Sequence, residues 1–236
     1  MAILLSASCI NAKTLVVYYS FTNNVHTIVN NLHTQIDADV IRIEPAEKGI
    51  DYADNNYAAG SALISAIRNN PDDVASYPAI DPVEVNLDEY DMVIVAAPLW
   101  WSQMAAPLQT FLFQHGKEMK GKRIGLIVSS ASSGISSVVA DAKRLIPQGI
   151  FLVPNLWIRS SQVSNCHSMI EQWLKDIDYT TITSSISAVG SDGEEEVIAR
   201  YNMGGQRIAA EQQIAGISIT QYRKAGKTYS RKSIVK

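Results

Sequence analysis

Residues 14–33 read TLVVYYSFTNNVHTIVNNLH, and this stretch decides the fold. It opens on Leu15, Val16, Val17, Tyr18 and Tyr19, an unbroken run of aliphatic, β-branched and aromatic residues. A run without polar alternation reads as a strand buried on both faces. Ser20, Phe21, Thr22, Asn23 and Asn24 form a polar turn, after which Val25, Ile28, Val29 and Leu32 recur at helical spacing. Strand, hydroxyl-rich turn and helix in that order build an anion site. The first backbone N–H groups of the helix have no intrahelical acceptor, and the helix dipole adds partial positive charge beside them. Ser20 and Thr22 add hydroxyls. The turn holds no lysine and no GxxxxGK[ST], which argues against a nucleoside-triphosphate loop and for a monophosphate. The competing reading is an ordinary strand–helix turn with polar caps.

The rest of the chain repeats the pattern. Residues 38–45 read as a second strand. The long segment 46–86 contains a helix over residues 55–69, broken at Asn70-Pro71, and otherwise loops over the surface. A third buried strand spans residues 92–97, followed by the loop Pro98-Leu99-Trp100-Trp101-Ser102-Gln103 and a helix over 105–115. A fourth spans 124–128, followed by Ser129-Ser130-Ala131-Ser132-Ser133-Gly134 and a helix to residue 145. A fifth spans 149–153, with residues 156–158 continuing it after Pro154. Met169, Ile170, Trp173, Leu174 and Ile177 give residues 164–177 as the closing helix. Five strands alternating with helices predict an α/β doubly wound parallel sheet. The polar loops after strands one, three and four then share one edge, where such sheets bind ligands.

YYSFTNNVHTIV resembles the YYSxTGNTxxxA phosphate loop of the flavodoxin-like family, whose members bind FMN. Asn23 stands where that family usually has Gly, and Val25 where it usually has Thr. Asn tolerates positive φ better than other non-Gly residues, whereas Val25 removes a hydroxyl. YDMVIVAAPLWWSQMAAPLQTFL is similar to the family's YDxxxxGxPxWWgxxxxPxxxFL segment, whose loop wraps the isoalloxazine ring. Aromatic side chains suit a flat apolar ring, and exposed loop amides suit its polar edge. SSASSGI sits where the family has TSGgSG, with Ala131 replacing a Gly. The resemblance covers residues 14–178 and implies a flavodoxin-like fold with FMN as cofactor. It implies phosphate contacts from Ser20, Thr22, Asn23, Asn24 and Val25. Ring contacts are implied from Pro98, Leu99, Trp100 and Trp101, and from Ser129, Ser130, Ala131, Ser133 and Gly134. Tyr52, Tyr57 and Pro71 fall in a segment that is either a solvated connection or part of a substrate site.

Composition bounds the remaining classes. With 47% hydrophobic residues the chain can build a substantial core. A formal net charge of −3 argues against a nucleic-acid surface, and no apolar run approaches a membrane span. Residues 1–178 carry 12 basic and 18 acidic side chains, and residues 179–236 carry 8 and 5, which marks a boundary near 178. Residues 179–193 are rich in Thr, Ser and Gly and read as a linker. Beyond them, residues 194–236 alternate as short strands with turns at 202–205 and 224–226. RYNMGGQRI and AGISITQYRKAGKTYSRKSIVK resemble the short C-terminal β-domain of bacterial proteins exported by the type IX sorting pathway. A hairpin cover with no targeting role is the alternative. Residues 1–12, MAILLSASCINA, resemble the back half of a secretory signal with cleavage after Ala12. Acylation at Cys9 is disfavoured by Ser6 in the position three before it. Together the two ends predict an exported protein, periplasmic, surface-bound or secreted, with a cytoplasmic protein as the alternative. If the leader is removed, Cys166 is the one remaining thiol and no internal disulfide forms.

The four histidines (His26, His33, His115, His167) lack metal-ligand spacing, and no GxSxG elbow supports a hydrolase. The chemistry therefore falls to the flavin, as an electron carrier or as an NAD(P)H-dependent FMN oxidoreductase. Its partner is a redox protein or a nicotinamide donor. The contrasting class is a flavin-free flavodoxin-like binding module.

Overall fold

The computed structural model describes residues 12–185, 196–202, 206–208, 216–224 and 227–235. Residues 1–11, which hold Cys9 and most of the segment read as a possible leader, the later part of the segment read as a linker, and the centres of both tail turns lie outside those residues. The chain divides into two compact units, with the boundary between Ser187 and Ala188.

Strand β1 (Thr14–Tyr18) is buried along its whole length. It lies between β2 (Asp39–Arg42) and β3 (Met92–Trp100), parallel to both, with Tyr18 opposite Arg42 on one side and Ala96 on the other. Alternate residues of β1 enter different cores, as the pleat requires. Leu15 and Val17 pack in one cluster with Val93, Val95 and Leu126. Val16 and Tyr18 pack in the other with Ile94, Ala96 and Ile127. Both faces of the sheet are therefore covered, which explains a hydrophobic run without alternation.

Helix α1 (Asn24–His33) seals the second face with Val25, Ile28, Val29 and Leu32, the four positions picked out by periodicity. Helix α2 (Asp54–Asn69) follows β2. β3 turns back through a short β4 (Gln103–Met104) into α3 (Ala106–His115). β5 (Arg123–Ser130) lies parallel to β3 and leads into α4 (Ser136–Leu145). The fifth strand is split into β6 (Ile150–Phe151) and β7 (Leu156–Arg159), both parallel to β5. Pro154, which has no N–H for a ladder, lies between them. A 3₁₀ turn (Ser160–Asn165) enters α5 (Cys166–Asp176). The order β2-β1-β3-β5-β6 is that of a doubly wound flavodoxin-like sheet, with its switch point between β1 and β3.

Two expectations change. Residues 98–103 are not an open loop, because β3 runs on to Trp100 and pairs with β4 in a two-residue hairpin. The stretch from Tyr179 does not begin as a linker, because Tyr179–Ser185 forms α6. Its Tyr179 and Ile182 pack on the α1–α5 cluster, burial that a Thr/Ser-rich composition conceals. The Tyr179 hydroxyl meets Thr14 Oγ1 at 3.0 Å, and Ala12 N–H donates to Thr183 O at 3.0 Å.

The C-terminal unit is a separate antiparallel sheet of four strands among the described residues. They are β8 (Glu196–Asn202), β9 (Arg207–Ile208), β10 (Gly216–Lys224) and β11 (Lys227–Val235), in the order β11-β10-β8-β9. Among the described residues, no helix is long and apolar enough to cross a membrane.

A chain ending at Asp178 should be less stable to urea than one ending at Ser187, by about 2–4 kcal/mol for the lost apolar burial and hydrogen bonds of α6. Equal stabilities would show that α6 contributes nothing to the first unit.

Candidate functional site

The C-terminal ends of β1, β3, β5 and β7 surround a cleft of about 390 Å³. That volume falls within the range of small-molecule sites.

The β1–α1 turn forms one end. Asn23 is the N-cap of α1 with φ 63°, ψ −1°, a left-handed conformation that Asn accepts at low cost. This geometry turns the first N–H groups of the helix toward the end of β1. The Ser20 hydroxyl accepts from His26 N–H at 3.2 Å and so caps the first turn from six residues upstream. Ser20, Thr22, Asn24 and Val25 line the cleft, and Asn23 does not. Its role is conformational.

An aromatic group forms the wall. Trp100 meets Tyr19 and Phe21 edge-on, with centroids 5.6 and 6.3 Å away, and Tyr52 at a tilt, 4.9 Å away. Trp101 stands outside this group, 39% exposed, with its ring edge-on to Tyr57 at 6.1 Å. Trp101 and Ser102 have φ of 46° and 65°, the two positive values that a tight hairpin needs at its centre. Neither is a residue type that favours this region, so the hairpin holds strain at the cleft. Asn55, Asn56 and Tyr57 are also left-handed, at the start of α2. Gly60 admits the Trp101 ring, because a Cβ there would lie 2.8 Å from Cζ3.

The third side is tied down by hydroxyls. Trp157 Nε1–H donates to Ser130 Oγ at 2.8 Å, and that hydroxyl donates to Ser133 O at 2.8 Å. Ser160 Oγ donates to Ser130 O at 3.4 Å and accepts from Asn24 Nδ2 at 3.3 Å. Ser160 thus links the β5 edge to the start of α1.

Of the residues expected to touch a flavin ring, Pro98, Leu99, Trp100, Trp101, Ser129, Ser130 and Ala131 line the cleft. Ser133 and Gly134 do not. Ser129 and Ser130 end strand β5 rather than opening the loop. A Cβ on Gly134 would meet nothing within 4 Å, so no close approach requires a glycine there. Phe21, Tyr52, Tyr57 and Ser160 also line the cleft. Ser160 directly follows β7, which runs one residue beyond the 156–158 read from the sequence, and so stands on the edge that the other loops share. Pro71 lies elsewhere, its carbonyl accepting from the Tyr77 hydroxyl at 2.6 Å.

Among the described residues that line the cleft, none is charged. Burial raises the Tyr52 phenol above its ordinary range, and Tyr19 beneath Trp100 is raised for the same reason. Both stay neutral near pH 7. The cleft therefore offers hydroxyls, amides and a helix N-terminus at one end and an aromatic wall beside them. Among the described residues, no cluster could hold a metal ion.

The flavodoxin family profile matches residues 13–177, and the chain belongs to that family. Two solved structures of candidate flavoproteins share its fold. One, from Bacteroides eggerthii, is 23% identical with a TM-score of 0.57, over 71% of this chain and 99% of that one. The other, from Bacteroides uniformis, is 24% identical with a TM-score of 0.56, over 70% and 99%. A flavoprotein from Lactobacillus acidophilus, solved in complex with FMN, is 21% identical with a TM-score of 0.51, over 65% and 97%. No curated protein matches the chain.

Asn23→Gly should leave urea stability within about 0.5 kcal/mol, whereas Asn23→Val should cost about 1–2 kcal/mol, because side chains other than Asn and Asp are penalised in this backbone region and a β-branched one most of all. Gly60→Val should push the Trp101 ring outward and red-shift the tryptophan emission of the folded protein. An unshifted spectrum would mean that the ring is not seated on Gly60.

Proposed function

We propose that the protein binds FMN in this cleft and works as a flavodoxin-like redox protein, either an electron carrier or an NAD(P)H-dependent reductase. One observation carries the reading. The hydroxyl-lined N-terminus of α1 and the aromatic wall around Trp100 open into a single uncharged cleft at the switch point of the sheet. A phosphate needs the first and a flat apolar ring needs the second. The FMN complex of the Lactobacillus acidophilus protein, which has the same fold, supports the reading.

The residues present fit the group. Ser20, Thr22 and Asn24 surround the α1 terminus and would hold the phosphate with neutral donors. The hydroxyl that Val25 lacks is offset by Asn24 and Ser160, which bring an amide and a hydroxyl to the same end. Leu99, Trp100 and Tyr52 would bear on the ring and keep water from it. The ends of β5 at Ser130 and Ala131 would meet its polar edge. A bound flavin supplies the redox chemistry itself. The protein's part is to bind, orient and desolvate it.

The test is an absorption spectrum of residues 13–236 after mixing with FMN and gel filtration. Flavin bands that co-elute with the protein, shifted and with quenched fluorescence, are expected. A protein that emerges colourless from excess FMN overturns the reading in favour of a flavin-free binding module. Bleaching by NADPH alone would assign a reductase, and reduction only through a partner protein would assign a carrier.

For the C-terminal sheet we propose a role in sorting during export. Its resemblance to type IX sorting domains and its basic balance support this reading. In a bacterium with that pathway, a chain ending at Ser187 should bind FMN as the full chain does but fail to reach the cell exterior. Equal export of the two chains would refute the sorting role.

A further inference from the structure

Met104, the second residue of β4, is fully buried. It stands opposite Leu99 in the hairpin that carries both tryptophans. Residues facing each other across an antiparallel pair alternate between bonded and non-bonded positions. The backbone groups of Met104 point away from β3. Its N–H donates to Asp141 Oδ2 on α4 at 2.8 Å. Its carbonyl accepts from Gln109 Nε2 on α3 at 2.7 Å. Both side chains are almost wholly buried, Gln109 at 1% exposure and Asp141 at 6%. Arg144 joins them, donating from Nη2 to Gln109 Oε1 at 3.0 Å and lying 3.8 Å from Asp141 Oδ1. Its Nη1 donates to the Tyr77 hydroxyl at 3.0 Å.

We propose that Asp141 and Gln109, linked through Arg144, are positioning residues for the tryptophan hairpin, setting where Trp100 and Trp101 stand along the cleft. Neither side chain lines the cleft. Their polar atoms are spent on one residue of a two-residue strand. A hydrophobic residue at either place would pack as well and would leave a buried backbone group without a partner. Keeping a carboxylate in this place costs solvation, and burial raises the Asp141 carboxyl above its usual range despite the Met104 N–H and Arg144 beside it. The strained centre of the hairpin, with both φ values positive, is the kind of geometry that persists only where its surroundings over-determine it. The clamp on Met104 is the fixed point next to that strain. The claim uses the preceding reading only to say what the wall serves.

The test uses full-length protein carrying Asp141→Leu or Gln109→Leu, read by amide exchange and by fluorine NMR of fluorotryptophan-labelled protein. Exchange at Met104 should speed up by about tenfold or more, since a buried backbone group loses its acceptor or its anchor. The Trp100 and Trp101 resonances should move while those of Trp157 and Trp173 stay. Asp141→Asn keeps an acceptor oxygen and should restore both readouts most of the way to wild type. A purely global loss of stability would leave the folded-state resonances where they are. Folded Leu variants with unmoved Trp100 and Trp101 resonances would overturn the proposal. Should Asp141→Leu fail to fold, Gln109→Asn, one methylene too short to reach Met104, decides it by the same readouts. None of these measurements needs flavin. A wild-type protein that binds no FMN would sink the functional reading and leave the clamp to be judged on its own.

Discussion

The cleft depends on a helix whose first N–H groups have nowhere to go within the helix. In α1 those groups sit at the end of a strand buried on both faces. Ser20 takes one, from His26. The same helix end borders a cleft lined by hydroxyls, amides and aromatic rings. β1 cannot slide, because a one-residue slip would exchange the side chains that enter the two cores. The two-sided burial of Leu15–Tyr18 thus holds the β1–α1 turn in place.

The aromatic wall answers a different demand. A hairpin with Trp and Ser in left-handed conformations is poor turn chemistry, since Asn-Gly or a similar pair would fit better. The structure tolerates it by surrounding it. Trp100 is held by three aromatic rings, Trp101 rests on Gly60, and the return strand is fastened by buried side chains of α3 and α4. Rigid elements carry the strained residues, so the wall is shaped before a ligand arrives.

Much of the fold was legible because its signals are local. β1, β3 and β5 are long apolar runs, and α1 and α5 repeat their apolar residues at helical spacing. The conformation of the β1–α1 turn was legible for the same reason, as Asn23 shows: a residue tolerant of positive φ stands at the N-cap that needs it. The ring side of the cleft was read less completely. Ser133 and Gly134 lie beyond the point where β5 ends, and the length of a strand depends on its neighbours rather than on its own residues. Tyr52 lies on a segment with no periodicity to place it, and Tyr57 falls where the start of α2 departs from helical geometry. Helix α6 hid in a Thr/Ser-rich stretch because only its packing on α1 and α5 makes it a helix.

The sequence by itself determined the doubly wound sheet, the shared edge of its polar loops and the uncharged, hydroxyl-rich turn at the start of α1. Hydrophobic period and turn chemistry are properties of contiguous residues, and these features need nothing more. Tertiary structure decided which tryptophan joins the aromatic wall and which stays partly exposed. It also decided that Ser160 ties two loops together and that Met104 is held by residues 5 and 37 positions further along the chain. These are contacts between different elements, most of them far apart in the chain. Their partners are chosen by the geometry of packed elements, and no single stretch of sequence records it.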